Sequence, residues 1–236
     1  MKLAIIGNGA MGALVRTLAE AEGHEVGRVV TSRDAAGGVG ALVELLGGHD
    51  AAIDFSVAPA VLTNVEAAAR AGVPLVEGTT GWNADEAEAR RLVAAHAGAL
   101  VYGANFSVGV QIFYRLVARA AELCAATDYA PFIEEAHHAR KRDAPSGTAL
   151  KLRDLLATRL ARDIPVASTR AGHIPGTHRV GFDSAADQIT LTHTARTREG
   201  FAAGALVAAR WIKDRRGVYE FSEAIDEMIK DVNRES

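Results

Sequence analysis

The sequence predicts an α/β protein in two parts: a parallel sheet wound with helices at the N-terminus, then an α+β part whose sheet is mixed and largely antiparallel. Three observations predict it. Over the first hundred residues, short apolar or β-branched runs alternate with Ala-rich stretches of helical length, the pattern of successive βαβ units. The early strand runs are continuously apolar, as strands covered on both faces must be. Beyond Ser107 the pattern changes, and residues 178–182 and 188–194 alternate polar and apolar side chains. That alternation suits an antiparallel sheet with one solvated face.

In order, strands are expected over 3–6, 25–30, 51–55, 73–77 and 100–103, and helices over 10–21, 59–71 and 83–97. Pro59 lies near the first turn of its helix, where a missing N–H costs little. A long helix over 108–126 follows, then a strand over 129–137 that gathers charge at its end. An amphipathic helix over 146–162, the two alternating strands and a helix over 201–212 come next. A helix over 221–232 closes the chain with no strand partner nearby and is expected to pack back on the first part. The divisions are therefore 1–106 and 107–212, with 213–236 returning to the first. No internal repeat, low-complexity tract or long linker is present.

The chain has 236 residues, 49% of them hydrophobic and 23% charged, an ordinary globular composition. Such a length buries enough surface to fold without disulfides or metals. The single cysteine, Cys124, lies in an apolar helical stretch and reads as a buried structural thiol in a reducing, cytoplasmic setting. The N-terminal apolar run stops at Gly7, too short for a signal peptide. No stretch approaches the ~18 apolar residues of a membrane span. A net charge of −3 gives no global attraction to nucleic acid or an anionic membrane, so neither is expected as a partner.

Gly7-Asn8-Gly9-Ala10-Met11-Gly12 is a complete GxGxxG between an expected strand and an expected helix, the context of a Rossmann dinucleotide site. The first glycine permits the turn, the second admits the pyrophosphate, and the third lets helix and strand pack closely. The helix N-terminus offers amides and partial positive charge to the phosphates. The second strand continues into Thr31-Ser32-Arg33 with no carboxylate at its tip. Ser32 and Arg33 can bind a 2′-phosphate, which favours NADPH with NADH also accepted, although Asp34 can swing in. Gly78-Thr79-Thr80-Gly81 lies at the carboxyl edge of the sheet, where ligands bind in open α/β folds. Gly103-Ala104-Asn105-Phe106 joins the two parts, and a cleft between domains is a usual ligand site.

The segment from Glu134 to Ala149 carries the chemistry. His137, His138, Arg140, Lys141 and Arg142 are followed by Asp143-Ala144-Pro145-Ser146-Gly147-Thr148, which reads as a turn entering a helix. Asp143 or Ser146 can cap it, depending on register. The helix start supplies amides for a carboxylate, Lys141 supplies a point charge, and a histidine exchanges protons near neutral pH. Together they suit a small dianionic acid. Adjacent histidines on a strand point to opposite faces, so His137 and His138 do not readily share a metal, a third ligand would have to come from elsewhere, and none is expected.

The same run resembles the signature of the dihydrodipicolinate reductase family (4-hydroxy-tetrahydrodipicolinate reductases of lysine and diaminopimelate biosynthesis). The likeness lies in its His-His, Lys and Asp-Ala-Pro-Ser-Gly-Thr-Ala elements. The glycine motif, the Asp54-Phe55-Ser56 strand end, Gly78-Thr79-Thr80-Gly81 and Ala104-Asn105-Phe106-Ser107 match in order, so the resemblance spans nearly the whole chain. It implies that His137 is the proton donor or acceptor and Lys141 a second proton donor. His138, Gly147 and Thr148 would hold the substrate carboxylates, with Ser146 assisting. Residues 7–12, 78–80 and 103–106 would touch the cofactor, with Arg198 nearby. It implies a dinucleotide-binding domain over 1–106, a substrate-binding and oligomerisation domain over 107–212, and a homotetramer, for which the alternating strands can form an intersubunit sheet. Longer family members carry one more residue in the glycine loop and an acidic-basic pair where this chain has Thr31-Ser32, which bears on cofactor choice. Two other readings are an aspartate-type or hydroxy-acid Rossmann dehydrogenase and a non-catalytic NADP-binding sensor. The paired histidines with Lys141 argue against both.

Overall fold

The structure is a computed structural model that describes residues 1–234, so the last two positions of the expected 213–236 segment lie outside the described residues. The chain divides into two compact units, residues 1–108 with the chain from 199 onward, and residues 109–198.

The first unit holds a parallel sheet of β1 (Lys2–Ile6), β2 (Glu25–Val30), β3 (Ala51–Asp54), β4 (Leu75–Glu77), β5 (Ala99–Tyr102) and β10 (Gly217–Glu220), in the order β10-β5-β4-β3-β1-β2. Around it lie α1 (Ala10–Ala21), α2 (Ser32–Ala35), α3 (Gly38–Leu46), α4 (Val61–Ala71), α5 (Glu86–Ala95), α8 (Glu199–Ile212) and α9 (Phe221–Arg234). The side-chain period of two sends successive residues of a strand to opposite faces. Leu3 and Ile5 therefore join one core with α1, α8 and α9, while Ala4 and Ile6 join another with α3, α4 and α5. This double burial is why the strands read as unbroken apolar runs. β1 has β2 on one side and β3 on the other, so the strand order reverses at its carboxyl end, where ligands bind in such sheets.

The second unit holds β6 (Ala130–His137), β7 (Val166–Arg170), β8 (Thr177–Asp183) and β9 (Gln188–Thr194), in the order β7-β6-β8-β9. β6 and β7 are parallel and the other pairs antiparallel, the mixed, largely antiparallel sheet expected. α6 (Val108–Cys124) and α7 (Gly147–Leu160) pack Val110, Phe113, Val117, Leu152 and Leu156 against Ile133, Val180 and Phe182. Cys124 is a buried free thiol. Among the described residues no helix is long and apolar enough to cross a membrane.

Several expectations are corrected. The helix α8, expected with the second domain, belongs to the first unit. Its face of Ala202, Gly204, Ala205, Ala208 and Ala209 is buried there, and a Cβ at Gly204 would lie 1.6 Å from the Phe106 carbonyl oxygen. Small residues allow that approach. The closing helix does have a neighbouring strand, because β10 immediately precedes it and pairs with β5. α2, α3 and β7 were not expected. α3 carries two glycines, which weaken the helical signal, and β7 is an edge strand with mostly exposed residues.

Candidate functional site

Two constellations stand out, one in each unit. In the first, the glycine turn follows β1. Gly7 adopts φ +94°, and a Cβ there would meet the Phe55 carbonyl oxygen at 2.6 Å; one at Gly12 would meet the Gly7 carbonyl oxygen at 2.0 Å. Gly9 has nothing within 4 Å of the same probe. It caps α1 without a side-chain bond, and the first turn of α1 holds no acidic residue. Asn8, Gly9 and Ala10 are exposed, while Met11 packs on the core. Open space over uncapped helix amides fits a pyrophosphate. At the tip of β2, Ser32 and Arg33 are exposed. Asp34 is not poised to swing in. It accepts from the Thr31 amide and hydroxyl at 2.7 Å each and from Arg28 at 2.7 Å, and these bonds, those from Thr31 foremost, hold its carboxyl at about 2.

After β4, Gly78 lies against the Phe55 ring, which a Cβ would strike at 2.2 Å. Thr79 is buried, its amide donating to Glu77 Oε1 at 2.7 Å and its carbonyl accepting from Trp82 at 2.9 Å. Thr80 is exposed. Beneath this loop, Glu77 and Asp54 are both fully buried. Burial foremost, and then the charge of Asp54, pushes Glu77 well above the ordinary carboxyl range. In the next loop Gly103 and Asn105 are half-buried and Ala104 is exposed, and Asn105 Oδ1 accepts the Ser107 amide at 2.9 Å. The Phe106 ring packs in the core against Phe55 and Phe221. Its side chain is therefore structural, and any cofactor contact there is through backbone.

In the second unit the buried face of β6 runs Ile133, Glu135, His137, apolar at first and polar at its end. His178 stands opposite Glu135 on β8, and the His137 and His178 rings meet edge-on with centroids 5.1 Å apart. His137 Nδ1 contacts Glu135 Oε2, and Arg170 donates to Glu135 Oε1 at 2.6 Å. Burial tends to raise Glu135, but hydrogen bonds from Arg170 and Ser168 and the charge of His137 outweigh it and leave the carboxyl low. Burial lowers His137, and Lys141 and Arg170 lower it further, against the opposing pull of Glu135. Burial, then the charge of His137, pushes His178 down to about 4.

Ser146, not Asp143, caps α7. Its Oγ accepts from the Ala149 amide at 3.3 Å and lies 3.0 Å from His178 Nε2. Gly147 is exposed with nothing within 4 Å of an added Cβ. Thr148 and His138 are half-buried. Lys141 binds both oxygens of Asp143 at 2.8 and 2.9 Å. The fold thus gathers His137, Lys141 and the cap of α7 in one unit. Arg198 is exposed in the connection between β9 and α8. The metal grouping closest to hand is not His137 with His138 but Glu135, His137 and His178, whose ligand atoms lie within 4.8 Å of one another. Within the protein, Arg170 donates to the Glu135 carboxylate and His137 contacts it directly.

A family model for the N-terminus of dihydrodipicolinate reductase matches residues 1–106, and one for its C-terminus matches residues 109–225. The chain belongs to the dihydrodipicolinate reductase family. Relatives named 4-hydroxy-tetrahydrodipicolinate reductase include one from Christiangramia forsetii, 33% identical over 98% of this chain and all of the relative. Another, from Natronomonas pharaonis, is 36% identical over 95% of this chain and all of the relative. The fold matches a dipicolinate-bound dihydrodipicolinate reductase from Paenisporosarcina sp. TG-14, with a TM-score of 0.78 at 19% identity, covering 93% of this chain and 97% of that one. It also matches an amine dehydrogenase from Mycobacterium smegmatis, with a TM-score of 0.60 at 12% identity, covering 94% and 95%.

Within this family member, Glu135, Arg170 and His178 are site neighbours to which sequence reading assigned no role. For His178 the signal was present, since it alternates with Val180 and Phe182 and so faces the core. For Arg170 it was absent, because nothing in the sequence aligns β7 with the end of β6.

Proposed function

We propose that this chain is a nicotinamide-dependent 4-hydroxy-tetrahydrodipicolinate reductase of lysine and diaminopimelate biosynthesis. The observation that carries the reading is the gathering of His137, Lys141 and the open N-terminus of α7 at the polar end of β6, in a member of this family. The overall change takes one hydride and one proton and releases the substrate hydroxyl as water, leaving tetrahydrodipicolinate. When bound, the reduced nicotinamide supplies the hydride. The first unit is the dinucleotide-binding domain, with residues 7–12, 78–80 and 103–106 lining the cofactor and Arg198 near it. The second unit is the substrate-binding and oligomerisation domain.

The amides of Gly147 and Thr148, with His138, take the substrate carboxylates, and Ser146 keeps that helix end in place. Lys141 exchanges Asp143 for a carboxylate and stands as a second proton donor. His137 moves the proton. Its imidazole is held neutral in the free protein, and a dianion arriving beside it raises its proton affinity, so the proton is taken up with the substrate. Exposed Ser32 and Arg33, with Asp34 committed elsewhere, favour NADPH over NADH. The setting is cytoplasmic, in keeping with a biosynthetic enzyme and its single buried thiol.

Purified protein with freshly prepared substrate is expected to deplete nicotinamide absorbance with both cofactors, at lower KM for NADPH. A positioned acid contributes ~10²–10⁴-fold, so His137→Gln is expected to lower kcat on that scale while cofactor affinity stays. Lys141→Ala is expected to raise substrate KM and lower kcat. No turnover of this substrate, or turnover only of an amino or hydroxy acid, overturns the reading. Near-wild-type kcat in His137→Gln removes that residue from its role.

A further inference from the structure

We propose that Glu135 is a positioning residue for proton transfer: its carboxylate, anchored by Arg170, keeps a proton on His137 Nδ1 and leaves Nε2 as the atom that exchanges with substrate. The inference rests on the proposed role of His137 and goes beyond it in fixing the tautomer and the residues that impose it.

The strand period places Glu135 and His137 on the same buried face of β6. The Glu135 side chain is fully buried, and its two oxygens face different partners. Oε1 receives Arg170 Nη2 at 2.6 Å, and Oε2 contacts His137 Nδ1. An ionised carboxylate offers lone pairs and no proton, so the ring nitrogen in contact with it is the one favoured to carry the proton. Buried charge is tolerated when it is paired and hydrogen-bonded, and Arg170 provides that. Arg170 Nη2 also donates to the Asp143 carbonyl at 2.6 Å, so the same guanidinium ties Glu135 to the turn that carries Lys141.

The other edge of the ring is kept clear by a glycine. At Gly176, with φ +138°, an added Cβ would sit 3.2 Å from His137 Nε2 and 3.3 Å from Cδ2. Gly176 presents no side chain to that nitrogen. His178 closes the ring's flank, and its link to Ser146 Oγ joins the imidazole pair to the cap of α7. The charged and titratable groups facing His137 are thus Glu135 on its own strand, Arg170 on β7, His178 on β8 and Lys141 in the following turn. Glu135 is the single member of that set whose charge favours protonated His137.

Imidazole 15N and 1H NMR of the wild-type protein, at a pH where His137 is neutral, is expected to show the Nδ1-protonated form; the Nε2-protonated form overturns the proposal. Glu135→Gln is expected to lower kcat about 10- to 100-fold, a part of what a positioned acid contributes, with cofactor KM unchanged. The limb of the pH–kcat/KM profile that disappears in His137→Gln should move to lower pH, because a charge that raised His137 is gone. Glu135→Asp should recover part of the rate. A lowered kcat with that limb unmoved would mark Glu135 as structural only and sink the idea. If Glu135→Gln does not fold, Glu135→Asp and the wild-type spectrum decide. If wild type turns over no substrate, the functional reading fails while the spectrum still tests the tautomer.

Discussion

His178 shows how a single side chain couples this fold to pH. Burial holds its imidazole at about 4 against an ordinary 6.5. Below 6.5 the unfolded chain takes a proton that the native protein refuses until near 4. The stability contributed by neutral burial is therefore intact above 6.5 and lost as pH falls through that window. At pH 5 the loss amounts to about 2 kcal/mol at 1.36 kcal/mol per unit. Urea midpoints at pH 7.5 and 5.0 are expected to separate further in wild type than in His178→Asn. Equal separations would show that His178 does not set the acid limit. His178 was legible as a histidine on a core-facing strand position. Its partners were not, because Glu135 reaches it through strand register and Ser146 through the packing of α7.

At the scale of elements, the glycine motif makes two separable statements. Gly12 is required by packing, since a Cβ would lie 2.0 Å from backbone, whereas Gly9 faces open space. Gly12→Ala is expected to destabilise the protein by about 1–3 kcal/mol through overpacking. Gly9→Ala should cost under about 1 kcal/mol as a weaker cap, yet weaken NADPH binding, because its methyl occupies the space expected for pyrophosphate. Thermal unfolding and cofactor fluorescence titration separate the two. Similar affinity in Gly9→Ala and wild type would place the phosphates elsewhere. Most elements were readable because their side-chain period was strong. α3 escaped through its glycines, and β10 because four half-buried residues carry no clear alternation. The cap of α7 stood undecided between Asp143 and Ser146 until the extended backbone of Ser146, at ψ 156°, aimed its hydroxyl at the Ala149 amide.

For the molecule as a whole, an edge strand and exposed apolar side chains bear on assembly. β9 is an edge strand with mostly exposed residues, and such edges invite pairing. Ile189 on β9, and Ile112, Leu116 and Leu123 on α6, are 44%, 44%, 53% and 64% exposed. We propose a homotetramer formed through the second unit. Sedimentation is expected to give about four times the 24.8 kDa chain mass, falling in Ile189→Lys; a monomeric wild type excludes it. The sequence by itself determined the two sheet types, the glycine turn and the segment from His137 to Thr148, because backbone period, glycine sterics and local charge are written in neighbouring residues. Only the tertiary structure assigned α8 to the first unit, set β10 against β5, and brought Arg170 and His178 around Glu135 and His137. Those choices depend on packing and strand register between segments far apart in the chain, which no local pattern encodes.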